Sequence, residues 1–369
     1  MIEWKKLDFL LDFEQPTPYL VKSTEYDDSF DVPVLTAGQS LLLGYTNETT
    51  GIYKASKENP TIIFDDFTTS FHWIDFDFKV KSSAMKMLRP KKGVNFRYVY
   101  YSMCGINFVP GGHQRHWISK YSQFEIPIPS LSEQTRIVGI LDSFTASIEN
   151  LKEQIAQRRK QYEHYRDQLL DLEGKEHKLI GELFEFKNGL NKEKQYFGQG
   201  NPIVNYTDVY HNNKLTREVL KGKVTLSEKE IERYKTCRGD VFFTRTSETP
   251  DEIGYTAVLL EDIEKCTFSG FLLRARPKTN LLLPEYCSYC FSSYKVRQDI
   301  IKLSTFTTRA LTNGTSLSKI SIPVPSLSEQ SRIVSILDTF EASIANLEAQ
   351  LKEREKQYEY YRNKLLTFE

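Results

Sequence analysis

Residues Ile126–Leu170 recur as Ile322–Leu366, 196 positions further on, with 30 identities in 45. That period is far longer than the roughly 20–50 residues of a solenoid unit. In a chain of 369 residues it leaves room for one ordinary domain ahead of each copy. The chain therefore reads as a duplicated unit, each made of a globular domain followed by one copy of the repeated segment.

Each copy opens on prolines, Ile126-Pro127-Ile128-Pro129 and Ile322-Pro323-Val324-Pro325. They favour extended backbone and oppose helix up to that point. Ser130 to Glu133 and Ser326 to Glu329 follow with the spacing of a capping box, serine as N-cap and glutamate three residues on. From there Ile137, Leu141, Phe144, Ile148, Leu151, Ile155, Arg158, Tyr162, Tyr165 and Leu169 succeed one another in unbroken steps of 4 and 3. The second copy repeats those steps from Ile333 to Leu365. A strict seven-residue period predicts a left-handed coiled-coil seam. A helix of about 38 residues spans about 55 Å. Because the first helix ends where the second globular segment begins, two such helices packed together run antiparallel.

The expected fold is mixed α/β, with two globular domains separated by a long antiparallel pair of coiled-coil helices and related by a pseudo-two-fold internal duplication. The segments are 1–127, 128–173, 174–323 and 324–369. The alternatives are helices that each pack on their own domain, or that pair with a second copy of the chain.

The globular segments read as strands and turns. In the first these are VPVLTAG, SLLLGYT, GIYKA, TIIFDDFTT and a long alternating HWIDFDFKVKSSAMKML; in the second, NPIVNYTDV, GDVFFTRTS, YTAVLLE and SGFLLRARPK, then a helix over LPEYCSYCFSSYKVRQDIIKL. Arg89-Pro90-Lys91 matches Arg276-Pro277-Lys278, and each is followed by a Tyr-x-x-Tyr, Tyr98/Tyr101 and Tyr286/Tyr289. The domains thus share a scaffold and diverge elsewhere, which suits reading two different short targets.

Net charge is zero, but residues 174–321 hold 23 basic and 18 acidic side chains, so local positive charge for phosphates is available. Polar loops supply candidate DNA contacts. In the first domain they are Gln39, Thr68, Thr69, Lys79, Lys81, Ser82, Arg115, His116 and Lys120. In the second they are Asn191, Lys192, Asn205, Tyr206, Thr244, Arg245, Thr246, Thr307, Thr308 and Arg309. Arginine, lysine, asparagine and glutamine read base edges, whereas hydroxyls and backbone amides hold phosphates. Arg115 and Arg309, each in a polar loop just upstream of its helix, are the preferred pair. The plain alternative is that these loops are merely solvated.

Catalytic motifs are missing. There is no GxxxxGK[ST], no Asn-Pro-Pro-Tyr-like tetrapeptide and no glycine-rich cofactor fingerprint. Pro250-Asp251 with Glu264-Lys265 resembles a nuclease motif, but Ile263 stands where a carboxylate is required. His113 and His116 are three apart in a loop, and Cys287-x-x-Cys290 has no second pair, so no metal is expected. Five irregular cysteines, no export signal and no apolar run near 18 residues suggest a cytoplasmic protein. Binding is favoured over chemistry, and no cofactor is expected in this chain.

With the doubled PxPSLSEQxRIxxILD helix start, the chain resembles, over its whole length, a specificity (S) subunit of a type I restriction-modification system. FKNGLNKEKQYFGQGNPIVNYTDVY, GDVFFTRTSET, PVLTAGQSLLLGYTNE, FDDFTTS and FKVKSSAMKML are also similar to that family. The resemblance implies a non-catalytic subunit whose two target recognition domains read the halves of a bipartite, asymmetric site on double-stranded DNA. It implies that the helices set the gap between halves and dock two methyltransferase (M) subunits, with Arg136, Tyr162, Tyr165, Arg332, Tyr358 and Tyr361 as the helix residues for this. S-adenosylmethionine would sit on the M subunits, and ATP and Mg would serve restriction (R) subunits recruited through them. Two other readings compete: a coiled-coil scaffold that binds proteins, and a specificity subunit for a fused nuclease-methyltransferase of type II.

Overall fold

The computed structural model describes residues 2–38, 40–112, 114–171 and 174–368. The chain forms two compact units, Met1–Lys152 with Ala349–Glu369, and Glu153–Glu348. Each unit holds one mixed α/β domain and a stretch of both long helices. The borders fall inside the helices because each helix half packs against the domain beside it.

In the first unit a sheet runs in the order Leu11–Glu14, Met85–Pro90, Thr61–Asp65, Phe71–Ile74, antiparallel throughout. The second unit repeats it as Phe184–Asn188, Leu272–Pro277, Val241–Thr244, Thr256–Leu259, with Lys214–Leu215 added in parallel. Ile62, Ile63 and Phe64, like Val241, Phe242 and Phe243, are fully buried. These continuous apolar runs mark central strands covered on both faces. Among the described residues no helix is long and apolar enough to cross a membrane.

Two expected elements are broken. The alternating run over 72–88 becomes three pieces, Phe71–Ile74, Lys79–Val80 and Met85–Pro90. Asp77 accepts the Ala55 N–H at 3.2 Å and pairs with Lys54, and the chain then leaves the sheet to pair Lys79–Val80 in parallel with Val34–Leu35. The expected strand GIYKA keeps a single bridge, Tyr53 to Phe78. The helix over 283–303 is two helices, Pro284–Cys290 and Tyr294–Lys302. At the break the Ser293 hydroxyl donates to the Cys290 carbonyl at 2.8 Å, a local bond that competes with helix continuation. Cys287 and Cys290 are buried in the core on the first of these helices, and burial raises both thiol pKa values.

The repeated segments are two helices of 40 residues, Leu131–Leu170 and Leu327–Leu366. Only half of each expected capping box forms. Ser130 and Ser326 accept the N–H of Glu133 and Glu329 at 3.3 Å, but the two glutamates turn to Arg136 and Arg332. A two-pronged guanidinium bond displaces the weaker return to the N-cap amide.

The seam pairs the helices antiparallel within each unit. In the second unit Tyr165 stacks on Phe340 with centroids 5.5 Å apart, while Arg158 lies over the same ring at 5.8 Å. Arg159 reaches Glu348 in the direction antiparallel packing requires. In the first unit the same trio recurs with the helices exchanged: Tyr361 on Phe144 at 5.3 Å and Arg354 over it at 5.6 Å. Each unit thus builds the same local contact set from equivalent residues of the repeat. The arginines at seam positions are thus explained, since each guanidinium covers an aromatic face.

Both Tyr-x-x-Tyr pairs join domain to helix. Tyr98 and Tyr286 donate to the carbonyls of Pro127 and Pro323, at 2.7 and 3.3 Å. Tyr101 and Tyr289 donate to Asp142 and Asp338 on the long helices, at 2.5 and 2.6 Å. A cation completes each joint: Arg97 to Asp142 at 2.7 Å, and Lys214 to Asp338 and Glu341, both at 2.7 Å. Lys91 and Lys278 play matching parts, bonding the carbonyls of Asp8 and Gly181 in the short helices Leu7–Leu10 and Ile180–Leu183.

Burial disfavours the charged form of Asp338, but hydrogen bonds from Lys214 and Tyr289 prevail and hold its carboxyl below the ordinary 3.8. A depressed carboxyl stabilises the fold above its unfolded pKa and loses that contribution as pH falls through the folded one. Asp338→Asn should therefore cost about 1 kcal/mol near neutral pH, allowing for solvent screening of a half-exposed group. Urea midpoints of variant and wild type should converge as pH drops below 3.8; a gap constant down to acid pH would exclude the charged joint.

Candidate nucleic-acid interface

In the first unit four sequence-distant segments meet around Asp66, which is 1% exposed. Its carboxylate lies 3.1 Å from the buried Lys86 ammonium and accepts the Trp117 N–H at 2.8 Å. Its carbonyl accepts the His116 N–H at 2.8 Å, and its own N–H donates to Ala84 at 2.9 Å. The Ser70 hydroxyl donates to the Ala37 carbonyl, and a His72 ring nitrogen lies 2.9 Å from that of Gly38. The Lys81 N–H donates to Leu35 at 3.0 Å. Segments 35–38, 65–70, 81–84 and 115–120 thus form one rim.

On this rim Thr68, Lys81, Arg115 and Lys120 are exposed, Lys81 donating to the Tyr26 hydroxyl at 3.0 Å and Lys120 lying over Phe108 at 4.8 Å. Ser82 accepts the Ala84 N–H at 3.1 Å. Thr69 is buried at a left-handed φ of 59°, which closes the turn. Lys79 has a different role from the expected one. Its ammonium is buried, donates to Thr50 and Gly51 carbonyls at 2.7 and 3.0 Å and pairs with Glu48 at 3.1 Å. His116 is likewise buried, edge-on to Phe108. Gln39 and His113 lie outside the described residues.

In the second unit Arg245 is the hub. Its N–H donates to the Phe271 carbonyl at 3.2 Å, its Nη1 to that of Gly270 at 3.1 Å, and its carbonyl accepts the Thr312 N–H at 3.0 Å. Gly270 donates to Leu190 at 2.7 Å and Ser269 to Val204 at 2.9 Å. Thr246 and Ser247 pair with Leu311 and Ala310, the second arm of a hairpin whose tip carries Thr307, Thr308 and Arg309, all exposed. Segments 189–192, 204–208, 244–248, 268–271 and 305–312 therefore converge. A cleft of about 460 Å³ opens between segments 190–197, 205–207 and 269–271, lined by Asn191, Lys192, Phe197, Asn205, Tyr206 and Phe271 among others.

Several of these side chains already have partners. Arg309 lies 3.1 Å from Glu248, both exposed, an ion pair that water or phosphate can exchange. Lys192 pairs with Glu230, and that hydrogen bond, with those from Ser227, holds the Glu230 carboxyl down at about 2. Asn205 caps the helix Tyr206–His211, where Tyr206 stacks on Tyr210. Thr244 departs from expectation: it is fully buried at the end of a central strand.

The strand registers equate the two rims. Asp65 pairs with Met85 as Thr244 pairs with Leu272, so Asp66 corresponds to Arg245 and Ala84 to Phe271. One slot holds an anion in one unit and a cation in the other. Among the described residues no group of three or more His, Cys, Asp and Glu side chains is placed to hold a metal.

Comparison with known proteins agrees with this duplicated plan. The family model described as "Type I restriction modification DNA specificity domain" matches residues 2–158 and again 173–356. The chain belongs to the type I restriction-modification specificity subunits. This specificity subunit is 38% identical to the type I restriction enzyme EcoR124I/EcoR124II specificity subunit of Escherichia coli, across 100% of this chain and 94% of the other. A putative type I restriction enzyme specificity subunit of Haemophilus influenzae is 28% identical over 100% of this chain and 96% of its own. The fold matches the crystal structure of a type I S subunit from M. genitalium with a TM-score of 0.59 at 16% identity, covering 100% of this chain and 97% of that one.

The helix residues that the resemblance offers to a partner are largely engaged within the chain. The Tyr162 hydroxyl donates to Glu341 at 3.3 Å, and Tyr358 packs into the cluster of Tyr98, Tyr101, Ile137 and Leu141. Tyr165 and Tyr361 stack on Phe340 and Phe144 yet remain 44% and 40% exposed. Arg136 and Arg332 are exposed beyond their pairs with Glu133 and Glu329. The sequence reading missed the Asp66–Lys86 pair and the exposed Phe271 and Phe306. Lys86 did carry a signal, a lone lysine between Met85 and Met87 in a strand.

Asp66→Asn would leave the buried Lys86 ammonium without its counter-charge, a loss of about 3–5 kcal/mol. Thermal unfolding should occur at lower temperature and trypsin should cut faster after Arg115 and Lys120. Unchanged cleavage at those two sites would remove Asp66 as organiser of the rim.

Proposed function

We propose that each unit reads one half of a bipartite, asymmetric double-stranded DNA site, the halves separated by a few unspecified base pairs. The observation that carries this reading is the contrast inside the duplication. Sheet order and tyrosine joints are common to both units, whereas the rims differ slot by slot, Asp66 against Arg245 and Ala84 against Phe271. A common scaffold with unlike rims suits two unlike half-sites. Exposed Arg115, Lys81 and Arg309 have the chemistry for base edges, while Thr68, Thr307 and Thr308 have that for phosphates.

In this reading the chain performs no catalysis. Two M subunits dock on it and methylate adenine with S-adenosylmethionine, and R subunits join through them with ATP and Mg. The assembly acts in the cytoplasm, where the DNA is. The exposed edges of the long helices, which carry Arg136 and Arg332 in their pairs with Glu133 and Glu329, are the docking surfaces, and helix length sets the gap between the half-sites.

Co-expression with a methyltransferase subunit of the same restriction-modification system, followed by mapping of N6-methyladenine across the host genome, tests the proposal. The expected result is a two-part motif with a fixed gap, methylated on opposite strands in its halves. Association without any sequence-specific methylation would overturn it, and absence of association would favour a protein scaffold. Adding or removing one whole heptad in both helices should change the unspecified gap and leave the half-site letters alone. Altered letters at an unchanged gap would contradict the spacer role.

A further inference from the structure

One side chain of the second rim is at odds with its surroundings. Phe271 is 66% exposed although it directly precedes the buried strand Leu272–Pro277, and with Phe197 and Tyr206 it gives the cleft an apolar lining set among amide and ammonium groups. Isolated exposed apolar residues are common on proteins, but this one is held on a rigid post. The Phe271 N–H donates to the Ser269 hydroxyl at 3.3 Å, and its carbonyl accepts the Arg245 N–H at 3.2 Å. The turn before it is tied to Leu190 and Val204 through Gly270 and Ser269, and to the Arg245 guanidinium. A Cβ at Gly189 would fall on the Ser269 carbonyl, and one at Gly270 on the Asn191 amide oxygen, so the two segments are packed directly against each other.

The neighbours have the chemistry of a nucleic-acid surface. Asn191, Lys192, Lys194 and Asn205 line the cleft beside the ring, and Arg245 lies beneath it with a buried Nε that has no hydrogen-bond partner. At the equivalent position the first unit has Ala84, which is buried, so the feature belongs to the second unit alone.

We infer that Phe271 is a wedge that enters between two base pairs of the half-site read by the second unit, partly unstacking one step. The inference rests on the DNA-reading function proposed above. An apolar ring on a turn tied at several points, flanked by cations and amides that hold the backbone and base edges, is what such insertion requires. The unstacking is opposed least at flexible pyrimidine–purine steps, so the wedge adds selectivity where no hydrogen bond reads a base. The second unit then reads part of its sequence through deformability, whereas the first unit, with buried Ala84 at this position, has no ring to insert.

The test uses the full chain bound to its methyltransferase and duplexes carrying the mapped motif. 2-Aminopurine is placed singly at each position of the second half-site except the methylated adenine. The expected result is a fluorescence rise at one step, lost in Phe271→Ala and partly kept in Phe271→Leu, with no matching rise in the half-site of the first unit. Thermal unfolding and co-purification of the variants control for folding and assembly, which exposure of the ring should leave intact. A duplex that binds with no rise at any of these positions, or with a rise that survives Phe271→Ala, overturns the wedge while leaving the DNA-reading function standing. Weaker methyltransferase association in Phe271→Ala, with unchanged fluorescence in the remaining complex, assigns the ring to a protein contact instead. Failure of the assembled complex to bind any duplex overturns both readings.

Discussion

Everything in each unit depends on a tyrosine hydroxyl meeting a carboxylate on a long helix, Tyr101 with Asp142 and Tyr289 with Asp338. Each tyrosine ring is buried, so its hydroxyl must find an acceptor, and a carboxylate accepts more strongly than a neutral group. A third group, Arg97 or Lys214, neutralises the carboxylate and ties in a further part of the domain. The bond fixes how the domain sits on its own helix. Because both units use it, whatever lies on the rim is presented on the same mounting.

The helix pair supplies a second constraint of a different kind. Seam residues recur with a seven-residue period, and the two seam phenylalanines, Phe144 and Phe340, are each covered by a guanidinium group from the opposite helix. Such contacts are directional. Arg158 and Tyr165 are one heptad apart and flank the same ring, so a shift by one heptad would leave only one of them beside Phe340, in the other's place, and break the paired contact. Register is therefore chosen by aromatic and cationic side chains, and the aliphatic residues along the seam add strength that is nearly indifferent to register.

The repeat, the seam and the antiparallel course of the helices were legible in the sequence because each rests on period and connectivity. The second tyrosine of Tyr-x-x-Tyr was visible as a match but not as a joint, since its acceptor lies about 40 residues away in one unit and about 50 in the other. The rims were legible only as sets of polar loops. Their membership held together well, but the role of each side chain depended on burial that alternation alone does not give: Lys79 and Lys81 are two apart, yet one ammonium is enclosed and the other exposed. Thr244 and Arg245 show the same limit, one inside the sheet and the next at the rim. The strand over 72–88 broke up because Asp77 bonds to Ala55 across a loop, a long-range contact with no local signature.

The first unit is discontinuous along the chain, being built from Met1–Lys152 and closed by Ala349–Glu369. Leu365, Leu366 and Phe368 pack on the cluster of Tyr98, Tyr101, Ile137 and Leu141. On a ribosome adding about 5–20 residues per second, that cluster waits roughly 10–45 s for its cover. The second unit, continuous from Glu153 to Glu348, has no such delay. The domain made first is therefore finished after the second, and loss of Leu365, Leu366 and Phe368 would expose apolar surface in the first unit while leaving the second whole.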